Sequence, residues 1–203
     1  MKFLALLKNV LAVCFWGILI FALESTYVSI LTIAAALLHE CGHMIVTLFF
    51  TKSKSGKLTG DISGFRIQTE GLSYGEEFLC AAGGPMINIV TFAICLLTGG
   101  VYILTFGLLN LLTALANLLP IESYDGYRIA HSAMCLFGFD GGRAEYILSH
   151  VSFIFSVLMT FLSLYLMLKL GEGYWIFAVF FSLTLSWLIK RQKRTICEKN
   201  GDL

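Results

Sequence analysis

The sequence contains few charged residues for its length, and this shortage indicates its class. Only 13% of its 203 residues are Asp, Glu, Lys or Arg, whereas soluble domains carry about 25%. Hydrophobic residues make up 58% of the chain, and the mean hydropathy is +0.83. The formal net charge is +1, with no basic groove of the kind that binds nucleic acid. These values favour a membrane protein that has lipid, and no nucleic acid, as a partner.

The sequence also lacks internal repeats, low-complexity tracts and any CxxC pair among its six cysteines. Its longest polar segments are residues 51–77 and 121–145, which leave little chain for a soluble domain. We therefore expect one membrane domain over residues 1–203, with its cytoplasmic cysteines reduced. The oligomeric state is not indicated by any of these features.

Long apolar segments define the predicted architecture. A spanning helix needs roughly 20 mainly apolar residues. The segments that approach this length are 3–23, 26–50, 77–98, 101–119, 146–169 and 173–189. They predict an all-α polytopic membrane protein of about six helices. Gly83, Gly84 and Pro85 interrupt the third segment, and we expect the first to be a retained span because Lys8 and Asn9 break it early.

The basic residues predict an orientation. Lys and Arg lie before the first span and after the second, fourth and sixth spans, whereas the other connections carry almost none. Positive loops tend to stay in the cytoplasm. We therefore expect both termini to be cytoplasmic. The small size and the lack of a luminal domain favour a bacterial cytoplasmic membrane.

The second span contains His39-Glu40-Cys41-Gly42-His43, an HExxH sequence. Ionisable groups inside a membrane are expensive and are functional by default. Two His at i and i+4 share one helix face and can bind one Zn²⁺, while the Glu beside the first can act as a general base. Cys41 faces away from the His pair. The alternative is that His39 and His43 are polar residues that hydrogen-bond to neighbouring helices.

A catalytic zinc site usually has three protein ligands. Asp125 is the favoured third ligand, because it follows the fourth span at the cytoplasmic side, where Pro120 must end the helix. Gly126 would let the chain turn next to the metal. Glu122 and His131 are rival ligands, and His150 is expected to be a hydrogen-bonded packing residue.

Three segments together resemble the site-2 proteases, a family of zinc intramembrane metalloproteases that includes bacterial sporulation-factor proteases. Residues 39–43 (HECGH) match the family's HExGH, 84–88 (GPMIN) match GPxxN, and 117–126 (NLLPIESYDG) match NxxPxxxxDG. The resemblance covers residues 39–126. Glu122, Ser123 and Tyr127 depart from it, because the family often has Pro, apolar or small residues there.

The resemblance implies an enzyme and a role for each matching residue. The implied zinc ligands of one ion are His39, His43 and Asp125, and Glu40 is the implied general base. Asn88 and Asn117 would line the substrate cleft, with interhelical hydrogen bonding as the alternative. The implied reaction is hydrolysis of a membrane-spanning substrate near the cytoplasmic side, as in regulated intramembrane proteolysis. No PDZ-like insert or nucleotide-binding regulatory module is present.

Residues 58–74 indicate a short cytoplasmic-side β-hairpin. Phe65, Ile67 and Thr69 alternate with polar residues, and glycines flank them. An exposed strand edge there could pair with an extended substrate, or it could be a covered surface hairpin.

Two other functions are compatible with the sequence. One is a catalytically silent membrane protein of the same fold that acts as a binding partner. The other is a small transporter or channel, which does not explain why His39, His43 and Asp125 would converge at one membrane depth.

Overall fold

The computed structural model describes residues 26–51, 72–170 and 174–200. Within them the chain forms helices and turns, with no strand. The six helices are α1 (Thr26–Thr51), α2 (Tyr74–Thr98), α3 (Val101–Asn117), α4 (Asp125–Leu136), α5 (Gly141–Leu170) and α6 (Tyr174–Asn200). The predicted span at 3–23 and residues 58–71 of the predicted hairpin lie outside the described residues, and Tyr74, at the end of the predicted hairpin, is the first residue of α2. The all-α architecture is therefore confirmed for the described part of the chain.

Three of the described helices are long and apolar enough to cross a membrane: Thr26–Phe50, Tyr74–Thr98 and Gly141–Lys169. They correspond to the predicted spans 26–50, 77–98 and 146–169. The predicted spans 101–119 and 173–189 correspond to shorter apolar helices, Val101–Asn117 and Ile176–Ile189. The glycines and proline at 83–85 do not divide α2, which runs through them as one helix.

Polar caps explain why α2 and α5 begin earlier than their apolar residues predict. Ser73 and Glu76 form a reciprocal capping box at the start of α2: the Glu76 N–H donates to Ser73 Oγ, and the Ser73 N–H donates to Glu76 Oε2. At the start of α5, Asp140 Oδ2 accepts hydrogen bonds from the backbone N–H groups of Gly142 and Arg143. Both devices satisfy backbone donors that a helix leaves unpaired, so each helix gains a polar first turn.

Helix α2 lies at the centre of one group of helices and packs against α1, α3 and α4, while α5 pairs with α6 and contacts α4. Small residues allow the close approach of α1 and α2. A Cβ added to Gly83 would lie 2.7 Å from the carbonyl oxygen of Gly42, and one added to Gly42 would collide with the carbonyl oxygen of Gly83. Small residues at helix interfaces are typical of membrane proteins, because van der Waals contact drives association there.

Between α3 and α4 the chain leaves the helical conformation, as Pro120 predicts. The side chain of Ile121 is only 1% exposed and anchors this connection in the protein. The backbone N–H of Glu122 donates to Ser152 Oγ on α5, at 2.9 Å. These contacts fix where α4 begins, and its first residue is Asp125.

Candidate metal centre

The HECGH sequence lies in the middle of α1, so its two histidines are one helical turn apart. His39 is buried and His43 is partly buried. Their Nε2 atoms are 3.2 Å apart, and the two rings meet edge to face with centroids separated by 4.8 Å. The predicted sharing of one helix face is confirmed, because the two imidazoles direct their Nε2 atoms at one point.

Asp125 lies beside this histidine pair, although it is more than 80 residues away from it in the sequence. Its Oδ2 lies 2.9 Å from His39 Nε2 and 3.0 Å from His43 Nε2. Asp125 itself is 8% exposed. Pro120 predicts a non-helical loop that carries this ligand, but that prediction is wrong for Asp125, which is the first residue of helix α4. The non-helical backbone that Pro120 predicts is confined to residues 118–124, between α3 and α4.

Gly126 has a different role from the predicted sharp turn. It lies within the first turn of α4 and does not adopt a positive φ. A Cβ at this position would collide with the carbonyl group of Leu118 and would lie 2.6 Å from the carbonyl oxygen of Leu119. The glycine therefore allows α4 to start directly against the end of α3, which brings Asp125 to the histidines.

The three side chains could hold one metal ion. Among the described residues, His39, His43 and Asp125 form the group of His, Cys, Asp or Glu ligand atoms close enough to share one. Zinc bonds of about 2.0–2.1 Å place tetrahedral ligand atoms about 3.3–3.4 Å apart. The observed separations of 2.9, 3.0 and 3.2 Å are slightly shorter, so a small outward movement would open the triangle for an ion. Two nitrogens and one carboxylate oxygen also match a catalytic zinc site with one open position.

The rival ligands lie elsewhere. Glu122 is exposed, and His131 lies on α4 beside the ring of Tyr74, at a centroid distance of 6.5 Å. His150 donates from Nδ1 to the carbonyl oxygen of Tyr146, which agrees with the predicted packing role. Cys41 is an exposed free thiol on α1.

Neighbouring groups orient two of the three ligands. His43 donates its Nδ1–H to the carbonyl oxygen of Cys80 on α2, at 2.8 Å. Arg128 Nη1 lies 3.9 Å from Asp125 Oδ1, whereas Oδ2 is the oxygen that contacts the histidines. Such outer contacts commonly fix the tautomer and orientation of metal ligands. The third ligand differs, because His39 Nδ1 is buried without a hydrogen-bond partner among the described residues.

The histidines also determine the charge of Asp125. Burial alone would raise the pKa of this carboxyl group, but without a metal the hydrogen bonds donated by protonated Nε2 atoms of His39 and His43 outweigh that effect and lower the pKa to about 2. Asp125 is therefore ionised at neutral pH. An ionised carboxylate has only acceptor oxygens, which is the form that a metal ion requires.

The remaining predicted site residues have distinct surroundings. Glu40 follows His39 on α1 and is partly exposed. Asn88 is fully buried, and both polar atoms of its amide lack a hydrogen-bond partner among the described residues. Asn117 donates its Nδ2 to the carbonyl oxygen of Thr113 in its own helix, at 3.0 Å. A role in substrate contact for either asparagine stays a prediction.

Sequence reasoning missed two contributors to the site, namely Arg128 and the Cys80 carbonyl group. Arg128 is one of the basic residues after the fourth predicted span, which indicated only the orientation in the membrane. Its position three residues after Asp125 in a helix nevertheless places the two side chains on one face. The Cys80 contact has no signal in the side-chain pattern, because the acceptor is a backbone atom.

No protein-family model matches this sequence, and no curated protein matches it. Among solved structures, the site-2 protease from Methanocaldococcus jannaschii superimposes with a TM-score of 0.59. The alignment covers 91% of this chain and 86% of that chain, at 18% sequence identity. The chain therefore has a site-2 protease-like fold, as its three sequence motifs predict.

Proposed function

We propose that this chain is an intramembrane zinc metalloendopeptidase. It would hydrolyse a peptide bond of a membrane-spanning protein near the cytoplasmic side, in a membrane where both its termini are cytoplasmic. The observation that carries the proposal is that ligand atoms of His39, His43 and Asp125 lie within 3.2 Å of one another, and that the helix of the two histidines also carries Glu40. The site-2 protease-like fold and the long apolar helices support it.

The three ligands would hold one zinc ion, which supplies Lewis-acid polarisation of the scissile carbonyl and activation of water near neutral pH. Glu40 would accept a proton from the attacking water and deliver it to the nitrogen of the leaving amine. The backbone carbonyl oxygen of Cys80 would keep His43 in the tautomer whose Nε2 has no proton and can bind the ion. Arg128 would hold the outer oxygen of Asp125 and leave the inner oxygen for the ion.

Asn88 is the proposed contact to the substrate backbone. It lies four residues after Gly84 on α2, and the atoms nearest to a Cβ built on Gly84 belong to His39 and His43, so Asn88 is one helical turn away from the metal site. Its buried amide has an unpaired donor and an unpaired acceptor among the described residues, and an extended peptide offers the complementary groups. The substrate must be unwound there, since the amides of an intact helix are already hydrogen-bonded.

The test compares the purified protein with its Glu40→Gln variant. Both are analysed for zinc, and both are incubated with membrane proteins whose new termini are then mapped by mass spectrometry. We expect equal zinc content and a loss of cleavage of roughly 10²–10⁴-fold in the variant, the usual contribution of a general base. Glu122→Gln is the matched control, because it removes the charge of an exposed carboxylate outside the ligand group.

Each outcome separates one function from another. Cleavage that persists in Glu40→Gln at the wild-type rate would refute the assignment of the base. Stoichiometric zinc without any cleavage by the wild-type protein would favour the catalytically silent binding partner. Absence of zinc from the wild-type protein would contradict the metal centre itself.

A further inference from the structure

Gly84 of α2 lies directly against the ligand group. A Cβ built on it would lie 2.7 Å from Nε2 and 2.8 Å from Cε1 of His39, and it would be closer still to Nε2 of His43. These nitrogens are the atoms that point at Asp125. The backbone of Gly84 is therefore a wall of the metal centre, at the side where α2 faces α1.

The neighbouring glycine does not share this position. A Cβ on Gly83 would meet the backbone of Gly42 and the side chain of Val46, and none of its three nearest atoms belongs to a metal ligand. Two adjacent glycines thus serve different purposes. Gly83 permits the close approach of α1 and α2, whereas Gly84 leaves the space between the helix backbone and the two imidazoles free.

We propose that Gly84 is a positioning residue for the metal, and that the missing side chain at this position provides the room the ion needs. The inference rests on the proposed zinc function. A methyl group at residue 84 would press on the two nitrogens that bind the ion, and real Cβ atoms are almost never found within 3.0 Å of another heavy atom. The His side chains would have to rotate away, and they would then no longer converge with Asp125.

The experiment compares Gly84→Ala with Gly75→Ala and Gly83→Ala. Gly75 lies in the same helix, and a Cβ there meets nothing within 4 Å, so its variant is the matched control for an added methyl group. Gly83→Ala reports on helix packing alone. Each protein is stripped of metal in detergent, checked for helical content by circular dichroism, and titrated with zinc while its thermal unfolding is followed. Cobalt(II) absorption provides a second measurement of ligand geometry.

We expect Gly84→Ala to keep its helical content without metal, because the atoms that the new methyl group meets are the ends of side chains, which can rotate aside as a backbone cannot. Its zinc affinity should fall by at least roughly 100-fold, the upper end of what losing a partner of a metal ligand causes. The zinc-dependent rise in unfolding temperature and the tetrahedral cobalt spectrum should disappear with it. Gly75→Ala should retain both, and Gly83→Ala should lower the unfolding temperature of the metal-free protein.

Zinc affinity of Gly84→Ala within a few fold of Gly75→Ala would overturn the inference while leaving the metal site intact. A metal-free Gly84→Ala that is as destabilised as Gly83→Ala, with an unchanged zinc-dependent rise in unfolding temperature, would also overturn it, since Gly84 would then serve packing. If the wild-type protein binds no zinc, the proposed function fails instead.

Discussion

His43 and Cys80 are joined across two helices by a hydrogen bond of 2.8 Å, from the imidazole Nδ1 to a backbone carbonyl oxygen. A carbonyl oxygen only accepts, so the proton must reside on Nδ1. In the neutral ring that a metal requires, the other nitrogen, Nε2, then carries no proton, and it faces Asp125 and His39. The packing of α1 on α2 thereby selects the tautomer that can bind a metal.

This tautomer can be observed by nitrogen NMR of the protein labelled at histidine. Without metal, we expect the neutral form of the His43 ring to carry its one proton on Nδ1, as His150 should because it donates from Nδ1 to Tyr146. Addition of zinc should shift the Nε2 signals of His39 and His43 and leave His150 unchanged. A proton on Nε2 of neutral His43 would contradict the structure.

The identity of the third ligand can be tested by removing each candidate carboxylate or imidazole. Asp125→Ala should weaken zinc binding by more than the roughly 10–100-fold that loss of a ligand's supporting partner causes. Glu122→Ala and His131→Ala should bind zinc as the wild type does, because neither residue belongs to the ligand group. The measurement is a competition titration with a chromophoric chelator. Equal losses in Asp125→Ala and Glu122→Ala would reject the assignment.

The pairing of α5 with α6 can be tested at Trp187. Its Nε1–H donates to Ser149 Oγ at 3.0 Å, and its ring stacks on Phe153 with centroids 4.1 Å apart. Trp187→Phe keeps an aromatic ring and should lower the free energy of unfolding by about 0.6 kcal/mol, the average for hydrogen bonds between membrane helices. Trp187→Ala should lower it by about 3–5 kcal/mol, because it also leaves a cavity.

The measurement is reversible unfolding in mixed detergent micelles. Ser149→Ala should have nearly the effect of Trp187→Phe, and the double variant should be little worse than either one, since both remove the same bond. Additive losses would mean that the hydrogen bond does not contribute as the structure indicates.

The order of the motifs along the chain predicts much of the site, and particular residues explain why. His39 and His43 are four residues apart in one apolar segment, so helical geometry alone puts them together. Pro120 predicts the break before Asp125, and the break occurs there. The start of α4 at Asp125 could not be predicted, because it depends on how closely Gly126 approaches Leu118.

The sequence by itself determined the membrane class, the pairing of two histidines with a glutamate, and the point where α3 must end. Each of these follows from local chemistry, namely apolar length, helical period and the missing N–H of proline. Only the tertiary structure decided that Asp125, rather than Glu122 or His131, meets the histidines. It also decided that the Cys80 carbonyl group holds His43 and that Gly84 borders the ligands. These relationships join residues far apart in the chain, and the packing distance between helix backbones sets them.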